Sequence, residues 1–197
     1  MTTAAPQPGA PTTDPAPLAL EPASGLDRLG PPTLPCVIDV EASGFGAGSY
    51  PIEVGLALPD GRAWCTLIRP AAGWTHWDGR AEALHGITRA LLEQHGREVN
   101  EVAQELNRQL AGRTVYCDNW AHDYAWLARL FEAAGLRPAY RLQHLRQLLD
   151  DERLARFDAT RDAVLQRLAL GRHRASNDAR ALQMSVAALC RPGPRPR

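Results

Sequence analysis

Residues 36–58 read CVIDVEASGFGAGSYPIEVGLAL, and the fold is decided there. Residues 36–40 are a short β-branched run after a proline cluster, which suits a buried strand. A glycine-rich turn, GFGAGSYP at 44–51, follows. Residues 52–58 form a second strand. Asp60-Gly61 is a hairpin signal, and a third strand runs from Ala63 to Arg69. The stretch therefore predicts a three-stranded antiparallel meander.

Further along the chain, residues 79–94 read as short helical pieces. Val99, Val102, Leu106 and Leu110 recur at helical spacing over 98–110, and Gly112 ends that helix. Residues 114–117, TVYC, are a fourth strand. Trp120 to Ala134 is helical, with Trp126, Leu127, Leu130 and Phe131 on one face and Gly135 as the stop. Residues 140–149 are ambiguous between strand and helix, with a short strand passing into a helix as one solution. Helices are expected at 158–170 and 175–189. The order predicts an α/β domain with a mixed five-stranded sheet and helices on both faces.

Composition bounds the rest. The chain has 197 residues, 45% hydrophobic and 22% charged, about one domain's worth. Nine of the 16 prolines fall in residues 1–35 and three in 192–196. This predicts a disordered Ala/Pro-rich arm over 1–32, a folded unit over 33–190 and a disordered basic tail over 191–197. No apolar run approaches the roughly 20 residues of a membrane span, and the N-terminus lacks the pattern of a secretory signal. Cys36, Cys65, Cys117 and Cys190 are far apart and form no CxxC pair, so they read as reduced thiols of a cytoplasmic protein. The 22 basic and 22 acidic residues cancel, which excludes a basic, sequence-independent nucleic-acid coat. All the basic residues are Arg, so Lys-based Schiff-base and P-loop chemistry are excluded.

Three acidic elements stand out. Asp39 and Glu41 lie two apart on the first strand, so both point to one face. Paired carboxylates at the end of a buried strand repel and need a compensating cation. A divalent ion with oxygen preference, Mg²⁺ or Mn²⁺, would supply it. Asn119 and Asp123 follow the fourth strand, one helical turn apart on the same side; Asp118 is a rival ligand. His173 sits in a loop five residues before Asp178, which falls one turn into the last helix. Each element also has a plain reading, as a solvated strand end, a helix cap or a polar loop.

In this order the three elements resemble the DEDDh (DnaQ-like) exonuclease superfamily, which includes the proofreading subunit of bacterial DNA polymerase III, RNase T and oligoribonuclease. The resemblance covers about residues 34–189. It is supported by Ile52-Glu53-Val54-Gly55, Leu84-His85-Gly86-Ile87-Thr88 and Asn119-x3-Asp123-x3-Leu127. Arg174 stands where the tyrosine branch has its Tyr, which favours the histidine branch. The chain departs from the common pattern at Ala42-Ser43-Gly44-Phe45 and at His122, where an aromatic is usual.

The resemblance implies an RNase H-like fold and a 3′-to-5′ exonuclease that releases nucleoside 5′-monophosphates by two-metal-ion hydrolysis. Asp39, Glu41, Asp123 and Asp178 would hold two ions about 4 Å apart, and His173 would be the general base. Ser43, Gly44 and Phe45 would meet the terminal nucleotide, Phe45 by stacking; Asn119 and His85 are further substrate-side candidates. Base stacking by Trp74 and Trp77, and phosphate contact by Arg172 and Arg174, are weaker expectations. The implied partners are 3′ ends of single-stranded RNA or DNA, and a homodimer, as in several relatives. Two alternatives stay open: a phosphodiesterase for dinucleotides or small nucleotides, and a non-catalytic nucleic-acid-binding module.

Overall fold

The computed structural model describes residues 34–190. The expected arm over 1–32 and tail over 191–197 lie outside the described residues. Five strands form one sheet: β1 (Val37–Ala42), β2 (Pro51–Ala57), β3 (Ala63–Leu67), β4 (Thr114–Cys117) and β5 (Arg141–His144). Their order is β3-β2-β1-β4-β5. The first three strands run antiparallel, while β4 runs parallel to β1 and β5 parallel to β4. This is the mixed α/β sheet expected from the sequence.

Helices α1 (Gly79–His85), α2 (Arg89–His95) and α3 (Val99–Leu110) precede β4, and α4 (Trp120–Ala134) joins β4 to β5. A 3₁₀ turn at Leu145–Leu148 leads into α5 (Asp151–Ala155), α6 (Phe157–Leu168) and α7 (Ala175–Cys190). Among the described residues no helix is long and apolar enough to cross a membrane. All four cysteines are free.

Element boundaries differ from the sequence expectation by one or a few residues, chiefly in the meander. Strand β1 continues past Val40 to Ala42, because Glu41 pairs with Glu53 of β2 before the register shifts at Glu41/Ala42. Strand β3 stops at Leu67, because Arg69 turns its N–H to Arg97 O at 2.9 Å. The β2–β3 connection is a three-residue loop closed by Leu58 N–H to Arg62 O at 2.8 Å. Gly61 takes the left-handed position of that loop (φ 85°).

Strand periodicity divides the two faces of the sheet. Ile38, Val40, Ile52, Val54 and Leu56 pack with Leu106 and Leu110 of α3 and Leu130 and Phe131 of α4. Val37 and Ala57 instead pack with Ala179, Leu182 and Val186 of α7. Asp39 and Glu41 share the parity of Val37, and Glu53 and Gly55 that of Ala57, so all four lie on the face that α7 covers.

Gly55 sets how closely α7 approaches. A Cβ built on it would lie 2.2 Å from the carbonyl carbon of Ala175 and 2.3 Å from Ser176 N. Backbone of the first turn of α7 thus rests on the sheet where a side chain would otherwise stand. Gly55→Ala should therefore lift α7 and destabilise the fold by on the order of 1–3 kcal/mol, read from denaturant midpoints. An unchanged midpoint would show that α7 is free to slide and that the close approach is incidental.

Candidate active site

The beginning of α7 is anchored by Glu53. This carboxylate is 1% exposed on a strand buried at every position. Arg174 donates to it through Nη2 (2.6 Å to Oε1) and Nε (3.2 Å to each oxygen), and Ala175 N–H donates to Oε2 at 2.9 Å. A charge this deep is tolerable only when paired and hydrogen-bonded. Here it also sits at the positive N-terminal end of a helix. Arg174 is therefore a structural clamp, and it does not line the cleft that Arg172 and His173 line.

The clamp brings the loop before α7 over Asp178. Asp178 Oδ2 accepts the N–H of His173 at 2.7 Å and of Arg174 at 3.2 Å. His173 takes a left-handed backbone (φ 62°), uncommon for a non-glycine residue. With the loop folded this way, ligand atoms of Glu41, His173 and Asp178 all lie within 4.8 Å of one another.

These three residues line a cleft of about 700 Å³, together with Asp39, Gly44, Phe45, His85, Asn119 and Asp123. Asp123 is 2% exposed, and its Oδ2 has no hydrogen-bond partner. Asn119 begins α4 without a side-chain cap bond, and its carbonyl accepts Asp123 N–H at 3.0 Å. Phe45 stands 62% exposed at the rim, edge-on to His122 with ring centroids 5.0 Å apart. Gly44 (φ 135°) lets its loop close on α1: a Cβ there would lie 2.6 Å from Asp78 Cβ. His85 accepts Ile87 N–H at Nδ1 (3.0 Å). That bond puts the neutral ring's proton on Nε2, which is buried without a partner.

Ser43 does not face the cleft. Its N–H donates to Tyr50 O at 2.9 Å, and its hydroxyl accepts Tyr50 N–H and lies 3.1 Å from His76 Nδ1. Both groups are spent on closing the β1–β2 loop, against the expectation that Ser43 meets the terminal nucleotide. Trp74 is buried against Tyr50, with centroids 5.0 Å apart, and Trp77 donates to Glu82. Neither is a free stacking surface. The sequence reading missed Asp78, Arg80, Leu84 and Arg161, which also line the cleft. Leu84 is 58% exposed. A lone exposed leucine on a short helix carries no sequence signal.

The electrostatics follow from crowding acids in a half-buried cleft. Asp39 is held well above the usual carboxylate range, first by burial and then by the charges of Asp123, Asp118, Glu41 and Asp178. Glu41 is pushed up to about 7 by burial, with Asp178 and Glu53 adding to the rise and Arg174 opposing it. Burial and then Asp118 raise Asp123. Burial also raises Asp178, against the N–H groups of His173 and Arg174. Without cations such a cluster keeps protons. Several oxygen donors, one of them buried and unpaired, fit a hard divalent cation, which would displace those protons.

No family model matches this chain, and no curated protein matches it. Solved structures do. Exonuclease I from Methylocaldum szegediense is 18% identical, with a TM-score of 0.57 over 78% of this chain and 39% of that one. E. coli exonuclease I in complex with a dT13 oligonucleotide is 14% identical, with a TM-score of 0.61 over 81% of this chain and 42% of that one. The zinc-ion-bound complex of E. coli exonuclease I with single-stranded DNA is 14% identical, with a TM-score of 0.55 over 78% and 38%. The fold is RNase H-like, shared with exonuclease I. The chain spans about two fifths of the length of these structures. At such identities the likeness carries the fold alone.

The raised Glu41 gives a pH test with a definite sign. Its folded value of about 7 exceeds the ordinary 4.5, so the folded chain binds this proton more tightly than the unfolded chain does. Its contribution is fully present below 4.5 and is lost as pH rises through about 7. With metal chelated, Glu41→Gln should gain stability over the wild type across that window, by on the order of 1–3 kcal/mol above it. The gain should vanish in acid. Melting temperatures across pH would check this; a gain independent of pH would place Glu41 outside the repelling cluster.

Proposed function

We propose that this chain is a metal-dependent 3′-to-5′ exonuclease of the histidine type, releasing nucleoside 5′-monophosphates from single-stranded nucleic acid. The observation that carries this is the convergence of Asp39, Glu41, Asp123, Asp178 and His173 on one cleft. These residues come from a strand, a mid-chain helix and the last helix with its preceding loop. A set of plain surface residues has no reason to meet in this way. E. coli exonuclease I has been solved with dA16 and dT13 oligonucleotides, which supports a single strand as the substrate class.

Asp39, Glu41, Asp123 and Asp178 would hold two divalent ions, Mg²⁺ or Mn²⁺, which when bound supply positive charge for an in-line displacement at phosphorus. Water attacks the terminal phosphodiester, the bond to the 3′ oxygen of the penultimate nucleotide breaks, and that oxygen takes a proton from solvent to become the new 3′-OH. His173 takes the water's proton, a role suited to an imidazole near neutral pH. Asp178 keeps His173 in place by accepting its backbone N–H. Phe45 and Leu84, the exposed apolar groups of the rim, flank the terminal base. His85, which lines the cleft, and Asn119 add polar side chains on the substrate side.

A 5′-labelled single strand incubated with Mn²⁺ should shorten progressively from its 3′ end. Cleavage of dinucleotides alone would favour the small-nucleotide phosphodiesterase, and metal-independent binding without cleavage the non-catalytic module. Asp39→Ala should abolish shortening while the apo protein stays folded, because one of several repelling charges is gone. His173→Ala should lower kcat by about 10²–10⁴-fold with little change in Mn²⁺ affinity. Near-normal turnover of His173→Ala at saturating Mn²⁺ would remove the histidine from the chemistry.

A further inference from the structure

The cleft also contains arginines. Arg80 and Arg172 are exposed at its margin. Arg161 differs: it projects from α6, and its side chain is only 25% exposed. Its guanidinium lies 6.0 Å from the Phe157 ring centroid. Nη1 stands 3.3 Å from Asp118 Oδ2 and Nη2 3.4 Å from Asp158 Oδ1. Good charge-assisted bonds of this type are about 2.7–2.9 Å, so both contacts are slack. Its Nε is buried with no partner, an arrangement that costs free energy for as long as it lasts. A planar fork of five donors thus borders an acidic cleft with one long hydrogen bond to Asp118, one loose ion contact to Asp158 and an unused Nε.

We propose that Arg161 is a phosphate ligand for the substrate strand, exchanging its loose contact with Asp118 for the two non-bridging oxygens of a phosphodiester. The assignment rests on the exonuclease reading above. Two oxygens on one phosphorus match the guanidinium fork in a bidentate pair, which Asp118 does not achieve here. Only a fork through Nε and Nη2, which also releases the Asp158 contact, gives the unpaired Nε a partner. Neutralising Asp118 is the competing role for Arg161, and the two roles predict different kinetics.

The test is initial-rate kinetics on a short 5′-labelled single strand with Mn²⁺, over a series of salt concentrations. Arg161→Met keeps the stem against Phe157 and removes the charge, and melting curves check its fold. It should raise KM about tenfold with kcat nearly unchanged. The slope of log kcat/KM against log salt should become shallower by about 0.7, the share of one single-strand phosphate. Arg161→Lys should restore the slope but only part of KM, since an ammonium is a point charge. Asp118→Asn, which frees Arg161, should lower KM below the wild-type value. If Asp118→Asn instead leaves KM unchanged, and adding it to Arg161→Met returns wild-type KM and slope, Arg161 only neutralises Asp118 and the assignment is overturned. A wild-type chain that leaves the strand intact sinks the exonuclease reading itself. Normal wild-type shortening with Arg161→Met unchanged in KM and slope sinks only the phosphate ligand.

Discussion

Glu53 is buried inside the sheet, and the only way to keep its charge there is to satisfy it. Arg174 and the Ala175 N–H do so, and both belong to the start of α7. The carboxylate therefore fixes where the last helix begins, and the bare Cα of Gly55 fixes how close it comes. Once those two are set, Asp178 falls opposite Glu41, and the His173 loop folds back onto the Asp178 carboxylate. The geometry of the cleft on this side follows from one ion pair and one missing Cβ.

The other side of the cleft comes from β4 and α4. Strand β4 runs parallel to β1, so its C-terminal end delivers Asp118, Asn119 and Asp123 beside Asp39 and Glu41. The fold thereby concentrates acids that raise one another's pKa. Such a cluster is a cost to the empty protein and a gain only when cations are bound. Strain of this kind at a half-buried cleft is common at functional sites.

Much of this was legible in the sequence, for physical reasons. Two-residue periodicity put Asp39 and Glu41 on one face, helical periodicity bounded Trp120–Ala134, and spacing put Asp178 one turn into α7. Partners distant in sequence were not legible. Arg174 pairs with Glu53 across 121 positions, and nothing local to HRASND distinguishes a clamp on a buried carboxylate from a phosphate contact. Ser43 looked like a ligand because it follows Glu41, but Tyr50 uses both its groups. Arg161 lies on a helix that the sequence places without singling out any of its residues, and its relation to Asp118 exists only in three dimensions.

We propose that this cleft is a two-ion hydrolytic centre. The most direct measurement is a Mn²⁺ titration followed by electron paramagnetic resonance, with a nucleoside 5′-monophosphate present to occupy the product position. Two tightly bound ions per wild-type chain are expected, and fewer in Asp39→Asn at the same total Mn²⁺. Absence of bound Mn²⁺ above the protein-free control, or equal binding by wild type and Asp39→Asn, would contradict it.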